Sequence, residues 1–111
     1  MRWSVEQVSE LLTRWKNDSI PVGILIIGTS GLRASMDGVI GEVTASGFRC
    51  EFVKGWLIFP FINSTLDYID NTEPTPRDFP EMANYLCGLI IRHDFGELCA
   101  LFEMWPEEVS T

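Results

Sequence analysis

The sequence predicts an α+β domain, in which an N-terminal helix packs on a strongly bent, meander-type antiparallel sheet that forms a small open barrel or roll. Apolar residues recur first with the 3.6-residue period of a helix, and then with the two-residue period of strands to about residue 70. Turn residues separate the strand-like segments at short intervals. With 111 residues the chain fits a single domain, 1–111, and is too short for two.

The first element is an amphipathic helix over residues 4–17. Ser4 and Gln7 have the spacing of a capping box, which marks a helix start. On a helical wheel the apolar side chains share one face, namely Val5, Val8, Leu11, Leu12 and Trp15. Trp15 is the largest of them, so we expect it to anchor the helix to the sheet.

Five strands are predicted between the helix and residue 62. Each alternates apolar and polar residues or is continuously apolar, and each ends at a turn signal. They cover residues 22–27, 32–36, 39–44, 48–53 and 56–62. Asp37-Gly38 has the composition of a two-residue hairpin turn between the second and third strands. These strands are expected to form a meander of consecutive hairpins.

The second half of the chain is less regular. Three prolines between residues 71 and 80 predict a surface loop, and a short second helix is possible near 78–86. Residues 89–104 fit either a helix or a hairpin that turns at Asp94-Phe95-Gly96. The hairpin is favoured, because the apolar residues would surround a helix on all sides and would need a larger protein to bury them.

The charge of the chain is strongly acidic and unevenly distributed. The net charge is -8, and residues 56–111 hold ten acidic residues against two basic ones. This balance argues against nucleic acid and against anionic membranes as partners, since both are bound mainly through Lys and Arg. It is typical of a solubilising surface, or of a face that attracts a basic partner protein. Asp67, Asp70 and Glu73 form the acidic cluster of this ligand or partner surface. A divalent cation site there is the least favoured interpretation, because the spacing is not that of an EF-hand loop.

The N-terminus and the cysteines favour a cytoplasmic protein. The first residues lack the apolar core of a signal peptide, and no apolar run reaches the 18 residues that span a membrane. The chain has three cysteines, Cys50, Cys87 and Cys99, an odd number without a Cys-x-x-Cys pair. We expect them to be buried free thiols.

Catalysis is the less favoured hypothesis, because the sequence carries no motif for it. His93 is the single histidine, and Cys87, His93 and Cys99 are spaced by six residues instead of the two to four that zinc ligands usually show. Gly28-Thr29-Ser30-Gly31 has the spacing of neither a nucleophile elbow nor a phosphate loop. The sequence therefore predicts no catalytic residue, no metal site and no cofactor.

The segment from Trp56 to Ile62 is apolar on both faces of a strand. Pro60 has no N–H group, which places this strand at a sheet edge or a bulge. An apolar edge strand promotes aggregation unless it is covered, either by the C-terminal half of the chain or by a second subunit. We therefore expect a homodimer, with Phe59 and Phe61 near its centre or directly beneath it.

Two functional hypotheses follow from these observations. The first is a non-catalytic module that binds protein, either a second copy of itself or a basic partner. The second, from a different class, is a small-ligand pocket or a minor enzyme site within the bent sheet. That pocket would be lined by Trp56, Phe59, Phe52 and Cys50.

Overall fold

The computed structural model describes residues 1–70, 85–94 and 96–104. In this part of the chain one helix is followed by seven strands. In chain order they are α1 (Val5–Asn17), β1 (Val22–Ile27), β2 (Arg33–Thr44), β3 (Gly47–Phe52), β4 (Gly55–Pro60), β5 (Ser64–Asp70), β6 (Tyr85–His93) and β7 (Leu98–Met104). No helix of the described residues has the length and apolar character needed to cross a membrane.

The helix starts and packs as its sequence predicts. The Ser4 hydroxyl accepts a hydrogen bond from the Gln7 N–H at 3.2 Å, and the Gln7 side chain accepts one from the Ser4 N–H at 2.9 Å. These two bonds satisfy backbone donors that a helix leaves unpaired in its first turn. The buried side of α1 consists of Val8, Leu11, Leu12 and Trp15.

All neighbouring strands of the sheet are antiparallel, in the order β4-β3-β2-β1-β7-β6-β5. Two meanders, β1–β4 and β5–β7, are joined where β1 pairs with β7. The described sheet ends in β4 on one side and β5 on the other, so it is open. The predicted combination of one helix with an antiparallel sheet is therefore confirmed.

The predicted hairpin turn at Asp37-Gly38 is wrong, because β2 runs straight through it. The first half of β2 pairs with β1 and the second half with β3, and the change of partner falls between Gly38 and Val39. A Cβ atom on Gly38 would lie 2.6 Å from the Glu51 carbonyl oxygen and 2.8 Å from the Phe52 ring. Glycine is needed here for a close approach between strands instead of for a turn.

Strand β5 was not predicted, and two of the five strands predicted before residue 62 are a single strand. The predicted strands 32–36 and 39–44 together form β2. The predicted loop over 71–80 lies outside the described residues. The same holds for most of the predicted second helix, 78–86, but its last two residues, Tyr85 and Leu86, begin β6.

The hairpin interpretation of residues 89–104 is confirmed. Strands β6 and β7 pair with each other, and the turn closes with a hydrogen bond from the Gly96 N–H to the His93 carbonyl at 2.9 Å. Gly96 has a φ of 99°, a left-handed conformation that glycine adopts without steric cost.

The two faces of the sheet bury different side chains. On the helix face, the buried side of α1 belongs to one hydrophobic cluster that includes residues from every strand, among them Ile24, Phe48, Phe59, Leu89 and Leu101. On the opposite face, called the outer face here, a second cluster is confined to the half formed by β1, β5, β6 and β7; it contains Leu25, Ile69, Ile90, Leu98, Ala100 and Phe102. The outer face of β2–β4 has no such cluster among the described residues.

Candidate functional site

The structure separates the residues that the sequence singled out. Trp56, Phe59 and Pro60 lie on β4 at one end of the sheet, whereas Asp67 and Asp70 lie on β5 at the other end. Glu73 lies outside the described residues. The aromatic and acidic candidates therefore do not form one site.

Strand β4 is divided between the core and the surface. Phe59 is 7% exposed and packs on the helix face, where its ring centroid lies 5.2 Å from that of Phe48. Phe61, just after the strand, is buried beside them. Trp56 and Ile58 point the other way and are 61% and 62% exposed. Within the described part of the chain, only one of the two apolar faces is thus covered.

The proposed ligand pocket of Trp56, Phe59, Phe52 and Cys50 is not enclosed. Cys50 and Phe59 are packed into the core, while Phe52 and Trp56 line an open groove of about 490 Å³ at the start of β4. A second, larger groove of about 660 Å³ lies at the other end of β4. Its wall on the strand is formed by Ile58 and Pro60.

The β5 edge of the sheet is covered by the chain itself. The Trp3 N–H donates to the Leu66 carbonyl at 2.9 Å, and the Tyr68 N–H donates to the Met1 carbonyl at 2.8 Å. The amino group of Met1 donates to the Tyr68 carbonyl at 3.0 Å. The Trp3 ring stacks on Tyr68 with centroids 4.1 Å apart, and Arg2 forms an ion pair with Asp67 at 3.4 Å. Residues 1–3 thus act as an additional short edge segment, which the sequence did not indicate.

The β4 edge has no such cover among the described residues. The Phe61 N–H donates to the Ser46 carbonyl at 2.9 Å, which shows that odd-numbered residues of this segment bond to β3. Because backbone groups alternate in direction along an antiparallel strand, the N–H and C=O groups of Trp56 and Ile58 face away from the sheet. Pro60, which has no N–H, occupies the next outward position. Trp56 was among the candidates from the sequence but Ile58 was not. The position of Pro60, two residues after Ile58, was the signal that could have identified it.

The outer face beside this edge has paired charges. Arg49 on β3 forms ion pairs with Glu42 at 3.2 Å and with Glu51 at 3.1 Å. These residues lie on the two strands next to Trp56 and Ile58. The surface next to the exposed apolar pair is therefore close to neutral, although the chain as a whole is acidic.

A second polar cluster lies under the C-terminal half of α1. The Glu103 carboxylate accepts hydrogen bonds from the Trp15 indole N–H at 2.7 Å and from Arg14 at 3.1 Å, and the Cys87 Sγ lies 3.6 Å away. The indole bond gives a buried tryptophan the partner it requires. Sequence reasoning placed Trp15 in the core but did not find Glu103. The arrangement fixes the helix on β7 and supplies no activated nucleophile.

The three cysteines are buried free thiols, as predicted. Burial raises the pKa of Cys50 to about 12, and burial together with the Glu103 charge raises that of Cys87 to about 11. Burial also raises the pKa of Cys99 well above its ordinary value. Since the thiolate is the reactive form, these side chains are inert at neutral pH. The described residues contain no group of three or more metal-ligating side chains.

These raised pKa values predict a loss of stability at alkaline pH. Unfolded thiols ionise near pH 9, whereas the native thiols keep their protons, so the free energy of unfolding is highest below pH 9 and falls as the pH rises towards 11–12. Each thiol contributes up to about 1.4 kcal/mol per pH unit in this range. Urea unfolding under reducing conditions at pH 8 and pH 10.5 measures the effect, and Cys50→Ala should show a shallower fall. Equal unfolding midpoints at the two pH values would contradict it.

Comparison with known proteins gave no family: no protein-family model, curated protein or solved structure significantly matches the chain.

Proposed function

We propose that the protein is a non-catalytic binding module that associates with a second copy of itself through the open edge of β4. A partner strand would add to the sheet there, using the outward backbone groups of Trp56 and Ile58 as hydrogen-bond donors and acceptors. The exposed side chains of the same two residues would supply the apolar contact. The observation that carries this proposal is the contrast between the two edges of the sheet.

The contrast matters because an open sheet edge is a hazard that proteins normally cover. Residues 1–3 cover the β5 edge with backbone hydrogen bonds, an aromatic stack and an ion pair. At the β4 edge the structure instead combines outward backbone groups with a Trp that is 61% exposed. Tryptophan is enriched at the energetic centres of protein interfaces.

Local charge supports a second copy as the occupant. The hairpin of β3 and β4, residues 47–60, contains two basic residues and one acidic residue in a chain whose net charge is -8. Among the described residues, the acidic side chains of residues 56–111 lie on β5, on β7 and around the turn between β6 and β7, and none lies on β4. Two copies that meet through β4 therefore keep these described acidic side chains away from the interface, which limits the repulsion between them.

Ile58→Pro tests this proposal. Proline removes the outward N–H and obstructs an added strand, but the Ile58 N–H does not bond to β3, so the fold should be retained. We expect the wild-type protein to scatter light at micromolar concentration as a dimer, twice the 12.6 kDa of one chain. The variant should scatter as one chain, with an unchanged circular dichroism spectrum. Trp56→Lys, which places a charge on the edge, should give the same result.

Leu32→Asn is the matched control, because Leu32 is also an exposed apolar residue, at 77%, but lies away from β4. This variant should remain dimeric. A wild-type protein with the mass of one chain at these concentrations would overturn the proposal. So would an Ile58→Pro or Trp56→Lys variant that folds and keeps the dimeric mass.

A further inference from the structure

We infer that the two β4 strands pair antiparallel about a two-fold axis at Leu57, so that Trp56 of each copy lies in the groove beside Ile58 of the other. This inference rests on the proposed function and specifies the register and contacts of the dimer. It would join the two sheets into one continuous sheet across the interface.

The register follows from the backbone groups that face outward. With the axis at Leu57, Trp56 lies opposite Ile58 of the second copy, and each residue exchanges both an N–H and a C=O with its opposite. Four hydrogen bonds form, and every outward group of these residues is paired. With the axis at Ile58, Trp56 would lie opposite Pro60, which has no N–H, and the Trp56 carbonyl would lack a donor.

Moving the axis to Trp56 is less favourable for a different reason. It would place Ile58 opposite Lys54 of the second copy, an apolar side chain against a charged one. The Leu57 axis instead places Trp56 opposite Ile58, an aromatic and β-branched pair of the kind that stabilises neighbouring strands. The side-chain contacts therefore favour the same register as the hydrogen bonds.

The larger groove adjoins the position of the indole ring, and its lining also includes Val5, Phe48 and Phe61 of the helix-face cluster. Directly opposite residues on an antiparallel pair lie on the same face, and diagonal neighbours remain within reach of an aromatic side chain. Trp56 of the second copy would therefore lie over Ile58 and reach Pro60, and both residues line the groove of about 660 Å³. Arg49 also lines this groove, so its guanidinium group could form a cation–π contact with the indole ring.

Leu57 offers a direct test of the axis. Opposite residues at a non-hydrogen-bonded position of an antiparallel pair have Cα atoms about 4.5 Å apart, which is within the range of a disulfide. Leu57 is 39% exposed, and the native thiols are buried, so Leu57→Cys introduces the accessible thiol. After treatment of a micromolar solution of this variant with oxidised glutathione, a non-reducing gel should show a covalent dimer.

Val53→Cys is the control, because Val53 is fully exposed but lies four residues before the axis. In this register the two copies of residue 53 are about 25 Å apart at the usual rise per residue, too far for a disulfide. The control should therefore stay largely uncrosslinked. Equal crosslinking of both variants would show random collision and overturn the inference.

Light scattering of the reduced proteins distinguishes a wrong register from the absence of a dimer. A dimeric mass with no Leu57→Cys crosslink, or with an Ile58→Cys crosslink in its place, overturns the register and leaves the proposed function standing. A wild-type protein with the mass of one chain overturns both. Should Leu57→Cys not fold, an equimolar mixture of Trp56→Cys and Ile58→Cys decides: these positions are directly opposite, with Cα atoms about 5.5 Å apart, only when the axis lies at Leu57. A dimeric mixture without a disulfide between the two variants overturns the register.

Discussion

Replacing Trp15 with alanine should lower the free energy of unfolding by about 3–5 kcal/mol, the range for a large aromatic residue removed from a core. Trp15 is 0% exposed and packs between α1 and the sheet. Its indole N–H also donates to Glu103 at 2.7 Å, so the variant loses both apolar contact and a hydrogen bond to a carboxylate. Since a domain of this size has a total stability of about 5–15 kcal/mol, Trp15→Ala is expected to be unfolded or close to it.

Urea denaturation followed by circular dichroism measures this loss. Trp15→Phe keeps most of the apolar volume but lacks the N–H group, so its stability should lie between those of the wild type and Trp15→Ala. Thr13→Ala is the control on the exposed side of the same helix and should change stability by less than about 0.5 kcal/mol. A cooperatively folded Trp15→Ala protein with nearly unchanged stability would mean that Trp15 does not anchor the helix.

Adjacent residues of β4 should respond in opposite ways to the same substitution. Phe59→Asp should unfold the protein, because it removes a buried ring that stacks on Phe48 and places a charge in the core without a partner. Even Phe59→Ala should cost about 3–5 kcal/mol. Ile58→Asp changes a side chain that is 62% exposed, so the chain should fold and only the proposed dimer should be lost.

Circular dichroism and gel filtration distinguish these outcomes. Phe61→Asp, buried beside Phe59, should behave like Phe59→Asp. A folded, monomeric Phe59→Asp protein would place Phe59 at the surface of association instead of in the core. An unfolded Ile58→Asp protein would show that the outer face of β4 is needed by the single chain.

The errors of the sequence analysis come from contacts between distant residues. Asp37-Gly38 has turn composition, but β2 continues through it because the strands before and after it, β1 and β3, supply partners for its two halves, a pairing that the dipeptide itself does not encode. The covering of the β5 edge by residues 1–3 joins parts of the chain more than 60 residues apart, for which no local pattern exists. Glu103 was one of ten acidic residues in its half of the chain, and only folding places it against Trp15 and Cys87.

The sequence by itself determined those features of the fold that short-range periodicity and local chemistry control. It specified the helix with its Ser4 cap and Trp15 anchor, the final hairpin, the buried thiols, and the edge position of the strand that contains Pro60. Only the tertiary structure decided which face of that strand the core covers, because the segment is apolar on both sides and its pattern does not distinguish them. The helix covers the side with Phe59, and Trp56 and Ile58 remain outside because β5–β7 lie at the far end of the sheet.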